Sequence, residues 1–231
     1  IDTAQMYGNE RAVGEGVRAS GQRSEVMVTT KIQPQQLAPH ELERSVKESL
    51  ALLRLDVIDL LLIHWPNPRV PLIETLGAMA KMKREGYARA IGVSNFTVAL
   101  LDEANEVTSE PLVCNQVECH PYLDQDKVLA ACRRHGMAMV AYSPIARGQA
   151  KADELLARIG EAHKKTAAQV CLRWLTQQGI VVIPRTARIE RLEENLNILD
   201  FDLSDAEMKE IAGLARRGGR IVDWTWSPKW D

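Results

Sequence analysis

Short apolar runs and longer amphipathic stretches alternate along this chain. The apolar runs are Glu25–Thr30, Val57–His64, Ala88–Val93, Leu112–Val117, Met137–Tyr142 and Ile180–Pro184, with a stub at Ile1–Thr3. They are continuous rather than alternating and often β-branched, the pattern of strands buried on both faces. Between them lie stretches with helical spacing. Glu41–Leu53 places Leu42, Val46, Leu50 and Leu53 on one face, as a helix packed on a sheet requires. Pro71–Arg84, Val98–Val107, Gln125–His135, Thr166–Gln178 and Ile189–Leu196 are read the same way. Gly86, Gly136 and Gly179 each follow a helix and precede a strand, where a left-handed cap is needed. Ser204 and Glu207 form a capping box that opens one more helix.

This order predicts an α/β chain with a parallel sheet, read as one domain over residues 1–231. A doubly wound sheet is the rival arrangement, but no Gly-x-Gly-x-x-Gly opens a helix here. A (β/α)8 TIM barrel has eight strands, and the pattern is one short. The expectation is that the first strand and helix are missing from this chain, on the order of 40 residues before Ile1.

Residues able to do chemistry stand where the apolar runs end, the place where α/β barrels carry their active sites. Asp2 and Tyr7 follow the first stub, Lys31 the next run, His64 the one after, and Tyr142 a later one. A free phenol has a pKa of about 10 and is a poor acid at neutral pH. A nearby ammonium lowers it, and a carboxylate keeps that ammonium charged and aimed. A neutral imidazole can donate to a carbonyl oxygen beside the phenol. Asp2, Tyr7, Lys31 and His64 together could therefore polarise and protonate a carbonyl as hydride arrives. Singly, each has a plainer reading: a turn acid, a half-buried aromatic, a solvated strand end and a core histidine. Lys31 could also serve a different barrel chemistry, as a Schiff-base nucleophile.

Two more groups stand at strand ends. Ser94, Asn95 and Gln116 offer hydroxyl and amide groups that could bind a carboxamide, and Tyr142 offers a ring for stacking. Arg185, Arg188 and Arg191 cluster where the last strand gives way to a helix, a setting that suits phosphate; a solvated charged helix is the alternative.

Composition narrows the classes. The 231 residues are 45% hydrophobic and 26% charged, ordinary for a globular protein. The 29 basic and 31 acidic residues leave a charge of −2, which disfavours nucleic acid or an anionic membrane as partner. No apolar run is long enough to span a bilayer. Cys114, Cys119, Cys132 and Cys171 form no Cys-x-x-Cys pair and no zinc-spaced cluster, so no metal is expected and reduced thiols of a cytoplasmic protein are.

These residues also carry a resemblance. Asp2-Thr-Ala…Tyr7-Gly-Asn-Glu, Thr29-Thr-Lys, Leu62-Ile-His-Trp-Pro, Gly92-Val-Ser-Asn-Phe, Asn115-Gln-Val-Glu, His120-Pro-Tyr, Tyr142-Ser-Pro and Ile183-Pro-Arg…Arg191…Glu194-Asn195 stand in the order seen in aldo-keto reductases. Ala146-Arg-Gly and the ending Ser227-Pro-Lys-Trp-Asp look like the bacterial 2,5-diketo-D-gluconate reductases. The resemblance implies NADPH-dependent reduction of small aldehydes, ketones or keto-sugars by a monomer. In it Tyr7 gives the proton, Lys31 and Asp2 tune it, and His64 orients the carbonyl with Trp65 beside the substrate. Ser94, Asn95 and Gln116 would hold the nicotinamide carboxamide, Tyr142 would stack on the ring, and Ser143 through Arg147 would follow the pyrophosphate. Arg185, Thr186 and Arg191 would take the 2′-phosphate, with Glu194 and Asn195 near the adenine. Arg185 replaces the lysine of many members, keeping the charge and adding a bidentate fork. Trp224, Trp226 and Trp230 lie in a tail that the resemblance places at the substrate pocket; packing elsewhere on the barrel is the alternative. A catalytically silent barrel or fragment is the remaining reading.

Overall fold

The computed structural model describes residues 1–216 and 218–231. These divide into two compact units. One comprises Ile1–Asn115, Ala131–Met137 and Ser227–Asp231, and the other Gln116–Ala130 and Ala138–Trp226.

The first unit alternates helix and strand: α1 (Glu10–Ser20), β1 (Thr29–Ile32), α2 (Pro39–Leu53), β2 (Ile58–Ile63), α3 (Leu72–Arg84), β3 (Ala88–Ser94) and α4 (Val98–Val107), then the first half of β4 (Leu112–Glu118). β1 and β2 are parallel, with Lys31 opposite Leu62 and Ile32 opposite Ile63. β2 and β3 are parallel too, with Leu62 opposite Gly92 and Ile63 opposite Val93. The stub at Ile1–Thr3 pairs with β1 through a single parallel bridge, Asp2 to Thr29.

This register sets the site. Partners in a parallel ladder share a face, and so do residues two apart. Asp2 shares its face with Thr29, hence with Lys31. Leu62 and Gly92 continue that face, and His64 and Ser94 extend it past the ends of β2 and β3. The opposite face, with Ile32, Leu61, Ile63, Ile91 and Val93, is fully buried. So are Leu42, Val46 and Leu53 of α2, as the helical spacing predicts. Each such side chain contributes about 1.5–3 kcal/mol on burial.

Two differences from the sequence reading have local causes. The strand expected over Glu25–Thr30 starts only at Thr29, after a 3₁₀ turn at Arg23–Glu25. Side chains satisfy the intervening backbone: Arg23 donates to Val26 O at 2.8 Å, and Val28 N–H donates to Asp59 Oδ2 at 2.9 Å. α1 was not expected, because Gly14 and Gly16 interrupt it. Gly14 has a packing reason: a Cβ there would lie 1.9 Å from the carbonyl oxygen of Leu53 at the end of α2.

The second unit takes the end of β4 and the start of α5 (Asp126–Arg134), then β5 (Ala138–Tyr142), α6 (Glu154–His163), α7 (Ala167–Gln177), β6 (Val181–Val182), α8 (Glu190–Leu196) and α9 (Asp205–Ala212). β5 and β6 are parallel, with Ala141 opposite Val182. β6 is shorter than the run Ile180–Pro184 predicts, and Pro184 cannot donate to a ladder. Capping boxes open α7 at Thr166 and α9 at Ser204. Trp174 Nε1 of α7 donates to Met208 O of α9 at 3.1 Å, tying the two helices. α6 was also not anticipated. Its Gly160 lets the chain turn back tightly, since a Cβ would meet Lys165 O at 2.4 Å. α8 departs from the expected packing: Ile189, Leu192 and Leu196 are exposed.

Gly86, Gly136 and Gly179 all have positive φ, as their places after helices require. All four cysteines are free and buried. No helix among the described residues is long and apolar enough to cross a membrane.

Candidate active site

The chain after Asp2 turns through a short 3₁₀ helix, Gln5–Tyr7, closed by Gly8 with φ 64°. A left-handed residue is needed there to reverse direction within one turn. Gln5 secures the turn, donating to Ser49 Oγ of α2 at 3.0 Å and accepting from Gln33 N–H at 3.0 Å. Thr3 Oγ1 bonds Asn9 Oδ1 at 2.7 Å. Tyr7 is thereby set at the mouth of the first unit with about half of its surface exposed.

Lys31 is wholly buried, which excludes a solvated strand end. Its ammonium donates to the Asp2 carboxylate, to Thr3 O at 2.9 Å and to Tyr7 Oη at 3.4 Å. It also lies 4.9 Å from the centre of the Tyr7 ring. A lysine has three N–H donors, and three acceptors receive them. That commitment disfavours the nucleophilic alternative, which requires an amine with its lone pair available. Burial lowers the Lys31 pKa, while the charge and hydrogen bond of Asp2 oppose the shift. Asp2 is therefore what keeps an ammonium against the phenol. Because Lys31 donates into the phenol oxygen, the phenol's own O–H is left as a donor.

His64 stands beside the phenol. The two ring centres are 5.5 Å apart and the planes nearly perpendicular. His64 N–H donates to Ile32 O at 2.9 Å, and Asn95 Nδ2 donates to His64 O at 2.9 Å, so the backbone of His64 is held from both sides. Its side chain is not a satisfied core histidine, since buried Nδ1 has no hydrogen-bond partner. Burial, and then the Lys31 cation, push the imidazole pKa down to about 3. The ring is neutral at every pH of interest and can donate to a carbonyl without titrating.

A depressed histidine pKa has a stability consequence with a definite sign. The unfolded imidazole protonates near pH 6.5. The folded one resists protonation to about 3. Stability from this group is thus complete above about 6.5 and lost as pH falls, by up to about 1.4 kcal/mol per pH unit. Denaturant unfolding at pH 7 and pH 5 is expected to show a smaller loss for His64→Gln than for the parent. Equal losses would show that His64 is not held neutral.

Asn95 occupies the left-handed region with φ 63°, which asparagine tolerates. It also donates to Ser94 Oγ at 3.1 Å. Asn115 pins the same turn, donating to Phe96 O at 3.0 Å and accepting from Phe96 N–H at 3.4 Å. Sequence reasoning gave Asn115 no role and missed Thr3, whose contribution is a backbone carbonyl. It left Trp230 open. The Trp230 ring packs edge-on at 6.0 Å against Trp65, the buried neighbour of His64.

The remaining predicted residues belong to the second unit. Gln116 is buried on β4. Tyr142 ends β5, and parallel pairing puts it at the same edge as Arg185, which follows β6. Ser143 and Arg147 have positive φ, at 50° and 52°, in the tight turns that follow β5. Thr186 Oγ1 accepts from Arg188 N–H at 3.1 Å. Glu194 accepts from Thr166 Oγ1 at 2.7 Å and is thereby tied to the start of α7; Asn195 is half-buried beside it. Arg185 and Arg191 make no ion pair among the described residues.

Comparisons with known proteins show what the whole chain is similar to. A family model for the Aldo/keto reductase family matches residues 1–216. The methylglyoxal reductase DkgB of Escherichia coli is 42% identical over 100% of this chain and 88% of its own length. The glyoxal reductase of Bacillus subtilis (strain 168) is 41% identical over 93% of this chain and 78% of its own. A crystal structure of a candidate 2,5-diketo-D-gluconic acid reductase B matches with a TM-score of 0.98 and 47% identity, covering 100% of this chain and 83% of that one. A Bombyx mori aldo-keto reductase solved in complex with NADP matches with a TM-score of 0.89 and 32% identity, covering 96% of this chain and 80% of that one. With parallel strands and helices alternating and the acid, lysine, phenol and imidazole gathered at neighbouring strand ends, the chain has the α/β architecture of the (β/α)8 barrels and belongs to the aldo/keto reductase family.

Proposed function

We propose that this protein reduces the carbonyl group of small dicarbonyl compounds and keto-sugars with NADPH. The observation that carries the reading is the gathering of Lys31, its partner Asp2 and His64 around Tyr7. When bound, the nicotinamide supplies the hydride. Tyr7 donates its O–H proton to the oxygen as negative charge develops there. Lys31 stabilises the phenolate that remains, and Asp2 keeps Lys31 charged. Neutral His64, with Trp65 beside it, orients the carbonyl oxygen toward the phenol.

The donor set fits the cofactor. Ser94, Asn95 and Gln116 are buried amide and hydroxyl groups suited to a carboxamide, and the ring of Tyr142 suits stacking. Ser143 and Arg147 stand in a strained turn able to follow a pyrophosphate. Arg185, Thr186 and Arg191, with Glu194 and Asn195, supply cations and polar groups for a phosphorylated adenosine. An arginine pair suits a 2′-phosphate, which favours NADPH over NADH. Methylglyoxal and glyoxal reductases among the relatives support a small dicarbonyl substrate, and the 2,5-diketo-D-gluconate reductase likeness supports a keto-sugar acid. Four buried free thiols suit a reducing compartment such as the cytoplasm.

Cofactor choice is testable through the five tryptophans. NADPH is expected to quench their fluorescence saturably and far more tightly than NADH. Arg185→Ala with Arg191→Ala should weaken NADPH by roughly 10²-fold and NADH little, the loss of about two charge-assisted contacts. Equal affinity for both cofactors in the parent would remove the 2′-phosphate assignment.

A further inference from the structure

Glu10 is a buried acid of the first unit that the chemistry above does not use. It opens α1, three residues after Tyr7, and is 3% exposed. Its Oε1 accepts from the hydroxyl of Thr30 at 2.6 Å. Thr30 stands immediately before Lys31 in β1, is fully buried and lies opposite Leu61 of β2. It therefore shares the apolar face of the sheet with Leu61 and Ile32, not the face that carries Lys31. An acid is costly on such a face unless a donor meets it. An apolar side chain would serve as well for packing α1 on the sheet, so the acid and its bond to Thr30 call for a reason beyond packing.

That reason lies in what stands between the two ends of the bond. Residues 2 to 10 hold β1 from both faces. On the site face, Lys31 donates to the Asp2 carboxylate, to Thr3 O and to Tyr7 Oη. On the other face, Glu10 holds Thr30. The turn that carries Tyr7 is slung between these points. Its near end is fixed by Gln5, which donates to Ser45 O at 3.2 Å and to Ser49 Oγ at 3.0 Å. Its far end is fixed by the Thr3–Asn9 bond and by Glu10. Tyr7 itself is 52% exposed, so the backbone anchors on either side set much of its place. Lys31 reaches the phenol oxygen at 3.4 Å, near the outer limit of a hydrogen bond. A further displacement of a few tenths of an ångström breaks that bond.

We infer that Glu10, through Thr30, is a positioning residue for the proton donor: it ties the turn carrying Tyr7 to the strand carrying Lys31 and so sets the approach of ammonium to phenol. This rests on the carbonyl-reductase reading and adds a residue that touches neither substrate nor the reacting atoms. The charged and titratable groups gathered around the phenol are Lys31, its partner Asp2 and neutral His64. Loosening the turn lengthens the first of these contacts.

Two variants of the full chain test this. Thr30→Val removes the hydroxyl and keeps the side chain's shape; Thr30→Ser keeps the hydroxyl. Thr30→Val is expected to lower kcat for methylglyoxal by roughly tenfold, with KM and NADPH affinity each changed by less than about threefold. The alkaline fall of its kcat should move to higher pH, because a phenol farther from an ammonium holds its proton more tightly. Thr30→Ser should keep kcat within about twofold of the parent, with the parent's pH profile. If Thr30→Val failed to fold, Glu10→Leu, an apolar replacement on an apolar face, would carry the same expectations. A folded variant that lost stability but kept the parent's kcat and pH profile would overturn the inference, as would a loss that Thr30→Ser shared. A parent that reduced no carbonyl compound would overturn the reductase reading alone. Titration of the Tyr7 phenol by carbon-13 NMR of labelled tyrosine, assigned with Tyr7→Phe, would then decide the positioning role: a higher midpoint in Thr30→Val supports it and equal midpoints overturn it.

Discussion

Tyr7→Phe is expected to lower kcat for carbonyl reduction by about a thousandfold or more, while NADPH binds with affinity within about twofold of the parent. General acid catalysis by a placed side chain contributes about 10²–10⁴-fold. Here the acid has no substitute within reach. His64 is neutral, with its pKa near 3, and Lys31 is wholly buried behind the phenol with its donors committed. Phenylalanine keeps the ring that packs edge-on to His64 and removes only the oxygen that Lys31 addresses. A loss of kcat without a loss of cofactor binding therefore isolates proton donation. Turnover within tenfold of the parent would place the proton elsewhere.

The second large effect is an asymmetry between the two partners behind the phenol. Asp2→Asn leaves a buried ammonium without its counter-charge and is expected to cost about 3–5 kcal/mol of stability. Lys31→Met removes the buried charge with its desolvation cost and leaves a carboxylate whose side chain is 15% exposed to water. It is expected to lose less stability than Asp2→Asn, because the charge left behind keeps some contact with water. Activity should nonetheless fall by about 10²-fold or more, because the phenolate formed in the reaction has lost its stabilising cation. Denaturant midpoints and kcat for the two variants check both halves. Equal destabilisation would mean that Lys31 is less isolated from water than its burial indicates.

The fold was legible wherever one period ruled a segment. Leu42, Val46 and Leu53 announced α2 because a single face is buried, and the runs ending near Lys31 and His64 announced β1 and β2 because both faces are. It was illegible where packing overrode propensity: α1 carries Gly14 against all helix preference because Leu53 O lies in the way of any side chain. Strand ends moved where side chains replaced the ladder, as Arg23 and Asp59 do before β1. At the site, Asp2, Tyr7, Lys31 and His64 were readable because their chemistry is in their side chains and they stand at strand ends. Thr3 was not, since its part is a carbonyl oxygen. The tail tryptophans carry no period at all, and their places come from packing: Trp230 against Trp65, and Trp224 stacked on Trp226.

The most direct measurement is the oxidation of NADPH by this chain in the presence of methylglyoxal, followed beside the Tyr7→Phe variant. The account predicts steady consumption that needs both NADPH and the carbonyl compound, yields one alcohol per NADPH, and vanishes in the variant. A folded protein that binds NADPH yet consumes none with methylglyoxal or 2,5-diketo-D-gluconate, or one in which Tyr7→Phe matches the parent, would contradict it.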